Sequence, residues 1–484
     1  MFQAACPGCG AAIDFRSPAS VMAVCPYCQT CALKDGEAVK DFGKISQVLE
    51  DLSPLQVGVT GSFDGQHFTV LGRVQMTYED GRWNEWYAAF DDGTAGWLSE
   101  SSGQYVFTLP KGKAEQAPPF EKLRPGYPFT WDGKPFRASD VRPARCAAGQ
   151  GELPFRVGEG WDTRAADFRV GKDFLTLDYT DGEPPEVFAG RAVTLEELKC
   201  QLLRDADEIG RTSGQYQGKI QALDCPNCGS PISYPVKVAQ ELVCPACHAE
   251  VSLSGDKAQV LKVHQILSTA STLRLGEIGN IDGKAWTVIG FFKARDPDDD
   301  ESGLWTEYLL FNVSAGFLWL VESDQGWDKV RVLNELPSAA GNDLVRLDGA
   351  MYRRKWTYRS EVMYAAGAFN WRIHIGDQTA VSDYPGMTGT LTREVYGEEI
   401  TWSRAERSSE ADVFGWFGRP ARRSPSSPVR PAAVTSPDEL KPYFYGASGV
   451  LWLINLPLIL FGNGSWLVAL IAWGVLWVMM RMEG

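Results

Sequence analysis

Four cysteines near the start of the chain return in the same pattern 219 residues later. In each half, two C-P-x-C motifs are separated by fifteen residues, a spacing that lets two short turns aim four thiolates at one tetrahedral metal ion. Four thiolates leave no ligand position open for a reacting water, so the pattern predicts two structural zinc ribbons, with one Zn²⁺ each. The predicted zinc ligands are Cys6, Cys9, Cys25 and Cys28 in the first half and Cys225, Cys228, Cys244 and Cys247 in the second.

The duplication extends past the cysteines into regions that are rich in strand-forming residues. Residues 63–72 match residues 281–290 position by position. Nested within this long repeat, an apolar residue followed by Asp-Gly and then by an aromatic occurs four times, at Asp64, Asp132, Asp282 and Asp348. Asp-Gly favours a tight hairpin turn, because glycine adopts positive φ without strain. We therefore expect two small antiparallel subdomains in each large repeat.

The repeats predict a mainly β chain with two zinc ribbons and two small-barrel or sandwich-like β-rich units, and the apolar C-terminal tail adds a transmembrane helical hairpin. Short helices are expected at 45–52 and 263–270, and a capping box at Thr194 and Glu197 predicts a helix that ends near Arg204. The predicted domains are zinc ribbon 1 (1–44), β-rich unit 1 (45–205), a linker (206–222), zinc ribbon 2 (223–262), β-rich unit 2 (263–418), a basic Pro/Ser-rich linker (419–442) and the transmembrane hairpin (443–481).

Charge and cysteine usage limit the partners and the compartment. The net charge of -14 disfavours nucleic-acid binding, which needs clustered Lys and Arg. Eight of the eleven cysteines fall in the two motifs, and thiolate ligands fit a reducing compartment. The N-terminus has neither the basic nor the apolar region of a signal peptide, so we expect the bulk of the chain in the cytoplasm.

The C-terminal tail contains two uncharged apolar runs, at 443–461 and 465–480. As helices they would extend about 28 and 24 Å, against a hydrocarbon core of about 30 Å. Arginine and lysine flank the pair on both sides, which favours a helical hairpin in the cell inner membrane with both ends in the cytoplasm. Two alternatives remain: one spanning helix plus an interfacial helix, and a soluble packing surface.

Two duplicated glutamates are the best candidates for ligand binding. Glu85 and Glu307 each lie two residues after a tryptophan and directly before an aromatic residue, in a strand-like run. A carboxylate at the rim of an aromatic groove could bind a cation such as an amine. The alternative is a solvent-facing strand residue between two core aromatics. The candidate ligand-binding residues are Trp83, Glu85, Trp97, Trp305, Glu307 and Trp319; no catalytic motif is present, and no catalytic residue is predicted.

The motifs W-x-E-[WY] and W-L-x-E, preceded by D-G-x-x-aromatic and V-L-G or V-x-G, resemble the bacterial family of the domain of unknown function 4178. The matching residues are Asp64, Gly65, Val70, Leu71, Gly72, Trp83, Glu85, Trp97, Leu98 and Glu100, then Asp282, Gly283, Val288, Gly290, Trp305, Glu307, Trp319, Leu320 and Glu322. Such proteins often carry zinc knuckles and a membrane-spanning tail, and they are similar to proteins encoded beside polyamine-pathway enzymes and membrane-stress proteins. The resemblance implies an accessory role at a membrane and supplies no catalytic residues.

We therefore expect a membrane-anchored, cytoplasm-facing scaffold or adaptor that binds a protein partner at the inner membrane. The alternative is an accessory subunit that binds a cationic amine for a polyamine-linked or membrane-stress enzyme system. A third hypothesis is an enzyme that uses Glu85 and Glu307.

Overall fold

Antiparallel strands form nearly all of the regular structure, so the prediction of a mainly β chain is confirmed. The computed structural model describes residues 2–17, 19–25, 27–28, 30–35, 38–44, 53–79, 81–157, 160–205, 209, 221–234, 241–244, 249–252, 259–263, 271–299, 303–312, 315–371 and 373–420. Within these ranges the helices are a 3-10 helix, Phe120–Lys122, and one α-helix, α1, Glu410–Trp416.

The first cysteine region contains five short strands. The first two form one antiparallel hairpin, and the other three form a second antiparallel group. Their bounds are β1 (Phe2–Ala5), β2 (Ala12–Phe15), β3 (Met22–Val24), β4 (Thr30–Asp35) and β5 (Ala38–Lys44).

Ten strands follow, and eight of them close into a barrel, which we call barrel 1. Their bounds are β6 (Thr60–Phe63), β7 (Gln66–Thr77), β8 (Arg82–Phe90), β9 (Ala95–Ser101), β10 (Gln104–Lys113), β11 (Pro128–Trp131), β12 (Lys134–Leu153), β13 (Trp161–Val170), β14 (Asp173–Asp178) and β15 (Glu186–Val193). The pairing order around barrel 1 is β7, β8, β9, β10, β15, β14, β13, β12 and back to β7.

The second half of the chain repeats this plan, with barrel 2 after the second cysteine region. The cysteine region holds β16 (Gln221–Asp224), β17 (Pro231–Tyr234), β18 (Glu241–Val243), β19 (Ala249–Ser252) and β20 (Gln259–Val263). The later strands are β21 (Ile278–Ile281), β22 (Lys284–Arg295), β23 (Trp305–Asn312), β24 (Gly316–Ser323), β25 (Gly326–Val332), β26 (Ser338–Ala339), β27 (Leu344–Leu347), β28 (Ala350–Arg353), β29 (Trp356–Phe369), β30 (Gln378–Gly386), β31 (Gly389–Tyr396) and β32 (Glu399–Ser408). The pairing order around barrel 2 is β22, β23, β24, β25, β32, β31, β30, β29 and back to β22.

The two small antiparallel subdomains expected in each repeat share one sheet, because the two halves of each repeat are joined into one barrel. In barrel 1 the halves join along β10 with β15 and along β7 with β12. A separate half would leave an edge strand at each side with unpaired N–H and C=O groups. Closure of the barrel pairs both edges.

The four predicted Asp-Gly hairpins are confirmed. Asp64, Asp132, Asp282 and Asp348 have φ values of 50°, 49°, 53° and 51°, and the glycine after each also has positive φ. Each dipeptide joins two paired strands, such as β6 to β7 and β11 to β12. Positive φ at both central residues is the turn geometry that matches the twist of a hairpin.

The helix expected between Thr194 and Arg204 is a turn instead. Its capping box forms, because Thr194 and Glu197 exchange hydrogen bonds of 2.9 and 3.1 Å. Farther on, Leu202 has a φ of 58°, and Gln201 forms an isolated bridge with Thr60. The bridge between Gln201 and Thr60, the first residue of β6, therefore ends the helix after its first turn. The helices expected at 45–52 and 264–270 lie outside the described residues, and Val263 ends β20.

Two apolar clusters of barrel 1 lie on the outer face of the closed sheet, one for each half, and a third lies beside the first cysteine region. Trp86 and Phe107 pack with Leu55 and Leu198 in the first half. In the second half, the loop around Leu123 covers a cluster that includes Phe168 and Leu175. Because side chains alternate along a strand, the positions between these residues face the inside of the barrel.

No helix in the part of the chain that the structure describes has both the length and the apolar character needed to cross a membrane. The predicted transmembrane hairpin, 443–481, lies outside the described residues, as does the preceding linker from residue 421 onward.

Candidate functional site

The four cysteines of the first motif come together as a candidate metal centre. The sulfur atoms of Cys6, Cys9, Cys25 and Cys28 all lie within 4.8 Å of one another. Cys6 Sγ is 3.5 Å from Cys28 Sγ, and Cys9 Sγ is 3.7 Å from Cys25 Sγ. A tetrahedron with metal–sulfur bonds of about 2.3 Å has edges of about 3.8 Å. The donor set and its size therefore fit one tetrahedral metal ion.

Backbone and side-chain groups also surround the sulfur atoms of this centre. Gly8 N donates to Cys6 Sγ at 3.4 Å, and Gly10 N donates to Cys6 O at 2.8 Å in the turn between the first two cysteines. Cys28 Sγ lies 3.2 Å from Thr30 Oγ1, and this contact lowers the pKa of the Cys28 thiol to about 6. A Cβ on Gly8 would sit 2.3 Å from Thr30 Oγ1, so only glycine fits between the two turns.

The second motif is described for three of its four cysteines. The sulfur atoms of Cys225, Cys228 and Cys244 lie within 4.8 Å of one another, with 3.8 Å between Cys228 Sγ and Cys244 Sγ. Cys247 lies outside the described residues. Both cysteine clusters could therefore hold a metal ion.

Each cysteine region is fastened to its barrel by strand pairing. β3 pairs with the end of β12, and β18 pairs with the end of β29 at the corresponding place. In the first copy, Glu152 Oε2 also accepts hydrogen bonds from Arg16 N at 2.7 Å, Ser17 N at 3.1 Å and Ser20 Oγ at 2.7 Å. The first cysteine region is thus joined to the sheet of barrel 1 by strand pairing and by the hydrogen bonds to Glu152.

On β8, the structure brings the predicted pair Trp83 and Glu85 together on the inner face of barrel 1. Trp83 Nε1 donates to Glu85 Oε1 at 2.7 Å, and Ser99 Oγ donates to Glu85 Oε2. Burial raises the pKa of Glu85 to about 7, against the effect of these hydrogen bonds. The charges of Asp167 and Asp178 raise this pKa further. Asp178 lies on β14, on the opposite side of the closed sheet, so Glu85 points across the inside.

Barrel 2 repeats the pair without the serine. Trp305 Nε1 donates to Glu307 Oε1 at 2.8 Å, and the strand neighbour that corresponds to Ser99 is Val321. Burial raises the pKa of Glu307 to about 7, and the hydrogen bond from Trp305 opposes this shift. The Trp305 ring also meets the Tyr358 ring edge to face, with 6.1 Å between centroids.

The other predicted tryptophans share the inner face but do not touch the glutamates in the described contacts. The Trp97 ring stacks on Phe155 at 5.6 Å, and the Trp319 ring packs against Trp371 at 5.3 Å. Trp97 and Trp319 pack in the clusters that also hold β3 and β18 residues, next to the cysteine regions. Trp97 and Trp319 therefore pack where each barrel contacts its cysteine region.

The glutamate of W-L-x-E has a structural role on the outer face. Glu100 Oε2 accepts hydrogen bonds from Ser53 Oγ at 2.6 Å and from Trp86 Nε1 at 3.0 Å. Glu322 accepts equivalent bonds from Thr272 Oγ1 at 2.6 Å and from Tyr308 OH at 2.8 Å. In both copies this carboxylate binds the segment that precedes the first strand of the repeat, through Ser53 in the first and Thr272 in the second.

Sequence reasoning missed a second duplicated set of acids on the inner face. Thr176 Oγ1 donates to Asp167 Oδ1 at 2.7 Å, and Thr392 Oγ1 donates to Asp383 Oδ1 at 2.7 Å. Both pairs are separated by nine residues and are related by a shift of 216, and the same shift relates Asp178 to Glu394. This common spacing is the signal that could have revealed them, although the surrounding residues differ.

Comparison with known protein families gives one match. The family described as Domain of unknown function (DUF4178) matches residues 56–195 and 274–410, which together make up more than half of the chain. The two matched ranges contain the barrels and their Trp–Glu pairs. No curated protein and no solved structure matches this chain.

Proposed function

Because this chain belongs to the DUF4178 family and carries two of its domains, we propose that it is a binding protein that holds a small organic cation inside a barrel. The observation that carries this proposal is the duplicated pair of Trp83 with Glu85 and Trp305 with Glu307, each on an inner face. A carboxylate beside an aromatic ring attracts a cation through charge and through the face of the ring.

The surroundings of these glutamates support a cationic ligand over a neutral one. The hydrogen-bond donors to Glu85 and Glu307 among the described residues are uncharged: an indole N–H in each copy, and a hydroxyl in the first. Burial raises both pKa values to about 7, well above that of an exposed glutamate, and the charges of nearby acids add to the shift at Glu85. A bound cation would stabilise the ionised form of each group. This geometry favours the ligand-binding alternative, while the scaffold interpretation stays a prediction.

We propose further that the two cysteine clusters bind Zn²⁺ as structural ions. Four thiolates at tetrahedral spacing support this in the first copy. We also propose that residues 443–481 anchor the chain in the inner membrane and keep the barrels in the cytoplasm, near a protein partner. The two uncharged runs and their basic flanks support the anchor.

Isothermal titration of the full chain in detergent tests the ligand. At pH 8 we expect heat from 1,4-diaminobutane and none from 1,4-butanediol, which has a similar length but no charge. The double variant Glu85→Gln with Glu307→Gln should bind about 10- to 100-fold more weakly, because it loses charge-assisted hydrogen bonds. Binding should also weaken from pH 8 to pH 6, since the glutamates with pKa values of about 7 then become protonated. Equal binding of the diol and the diamine would refute the proposal.

A further inference from the structure

One strand edge of barrel 1 is open at the place where barrel 2 covers the corresponding edge with a strand of its own. The Asp-Gly hairpins at Asp132 and Asp348 relate the two places, so β11 corresponds to β27 with a shift of 216 residues. We propose that β11 docks an extended segment of a partner protein, which pairs with it as an additional antiparallel strand. This site lies outside the inner faces and does not depend on the cation.

Barrel 2 shows what this edge holds when it is covered. There β27 has a strand on each side, β28 after the Asp-Gly turn and β26 on the other edge. Ser338 lies opposite Arg346 in the register, and Ser338 Oγ donates to Arg346 O at 3.3 Å. Ala340 N donates to Leu344 O at 2.8 Å. The outward carbonyl groups of β27 therefore accept hydrogen bonds from an extended segment of the same chain.

In barrel 1 the corresponding edge has no strand beside it. Among the described strands, β11 pairs with β12 alone. The connection that precedes β11, residues 114–127, is described throughout and contains a 3-10 helix but no strand. The shift of 216 relates Leu344 and Arg346 to Pro128 and Thr130. Among the described residues, none donates a hydrogen bond to the carbonyl group of Pro128 or Thr130.

The register of the hairpin determines which backbone groups of β11 point outward. Opposite residues in an antiparallel pair alternate between those that exchange two hydrogen bonds and those that exchange none. Thr130 lies opposite Pro135, which has no N–H, so this pair is of the second kind. The N–H and C=O of Thr130 therefore point away from β12, as does the C=O of Pro128 two residues earlier. The edge offers one donor and two acceptors to an added strand.

A groove of about 560 Å³ lies along this edge. Its lining consists of residues 113–116, Pro118 and residues 127–131, which are the end of β10, the start of the connection and β11. Pro128 and Thr130 are exposed, so the backbone of β11 is accessible from the groove. A neighbouring strand lies about 4.8 Å from its partner, and the groove provides the space for one.

The side chains of the groove favour an uncharged segment with apolar residues at alternate positions. Phe129 and Trp131 are half-buried, and their rings stack with 6.5 Å between centroids. Residues directly opposite in an antiparallel pair have Cβ atoms about 4.5–5.5 Å apart on the same face. A docked strand therefore places every second side chain against Phe129 and Trp131, and the side chain between them beside Thr130. The charged residues of the lining, Lys113 and Glu115, have opposite signs and give the groove no net charge.

A titration of the full chain in detergent with the end-capped peptide Lys-Val-Thr-Val-Thr-Val-Lys tests the site. Its valines suit the aromatic face, its threonines the positions opposite Thr130, and its lysines keep it soluble. We expect one peptide bound per chain. Thr130→Pro should weaken binding about 10-fold or more, because it removes the outward N–H and keeps the bonds between β11 and β12. The matched control Thr130→Val keeps that N–H and should leave the affinity unchanged.

Methylated peptides test the backbone bonds without a change in the protein. Only alternate amides of an added strand face the sheet. N-methylation of both threonines should therefore abolish binding to wild-type protein, whereas N-methylation of the central valine should not. Thermal melting checks the folding of each variant, and the two methylated peptides decide the question if Thr130→Pro does not fold.

Several results would overturn the proposal. Absence of binding at millimolar peptide, equal affinity of Thr130→Pro and Thr130→Val, or equal losses with the two methylated peptides would show that β11 does not accept a strand. A dimer of the peptide-free chain that Thr130→Pro converts into a monomer would identify a second copy as the occupant and overturn the assignment to a partner protein. Titration with the diamine is independent of all these results, so the cation site stands or fails separately.

Discussion

At the scale of single residues, the same aspartate has opposite surroundings in the two barrels. Asp167 and Asp383 each accept a hydrogen bond from a threonine nine residues later. Two arginine charges act on Asp167, whereas the side chains that act on Asp383 are the neutral Thr392 and Tyr358 and the acidic Asp328. Burial raises the pKa of both carboxyl groups, and the arginine charges should make the ionised form cost the folded protein less at Asp167 than at Asp383.

Replacement of these aspartates by asparagine tests this difference. We expect Asp167→Asn to lower the free energy of unfolding by about 1–3 kcal/mol, because it leaves buried arginine charge without its acid. Asp383→Asn should leave the free energy of unfolding unchanged or raise it, because it removes one of several neighbouring negative charges. Urea denaturation of both variants in ligand-free protein measures the effect. Similar losses in both would show that the two interiors are electrostatically alike.

At the scale of elements, the bonds to Glu152 hold the first cysteine region against β12. A shift of 216 places Ala368 at this position in β29, so the second cysteine region has strand pairing without the carboxylate. We expect Glu152→Ala to speed hydrogen exchange of the amides in residues 16–24 about 10- to 100-fold, because three donors lose their acceptor. Exchange in residues 241–244 of the same protein is the control. An equal increase in both regions would indicate global destabilisation instead.

Local signals in the sequence predicted the elements better than the connections between them. The Asp-Gly turns were predictable because their geometry depends on two residues and their neighbours. The helix after Thr194 was predicted wrongly because pairing of Gln201 with Thr60, far away in sequence, overrides the capping box. The acids were missed for the same reason, because Glu394 comes near Glu307 only when β31 stands across the barrel from β23. The helix α1 was missed although Ser409 and Asp412 form a capping box.

At the scale of the whole molecule, metal binding and barrel stability should be coupled. Strands β3 and β18 belong to the cysteine regions and pair with the ends of the barrel strands β12 and β29. Zinc contributes an apparent 10–16 kcal/mol or so in small zinc peptides. We expect full-length protein to release two Zn²⁺ per chain to a strong chelator and then to melt at a lower temperature. Metal analysis and calorimetry before and after chelation measure both. A melting temperature that does not change after loss of both ions would show that the barrels are independent of the ribbons.

Closure of each barrel along two seams sets the order in which the chain can fold. The seam of β10 with β15 joins Tyr105 to Val193, so barrel 1 cannot close until the ribosome has released nearly the whole first repeat. Pairings this distant in sequence form slowly, and related repeats offer each other wrong partners. During synthesis, β10 can pair with β15 before β32, the counterpart of β15 in barrel 2, has been made. The order of synthesis therefore gives each half its correct partner first.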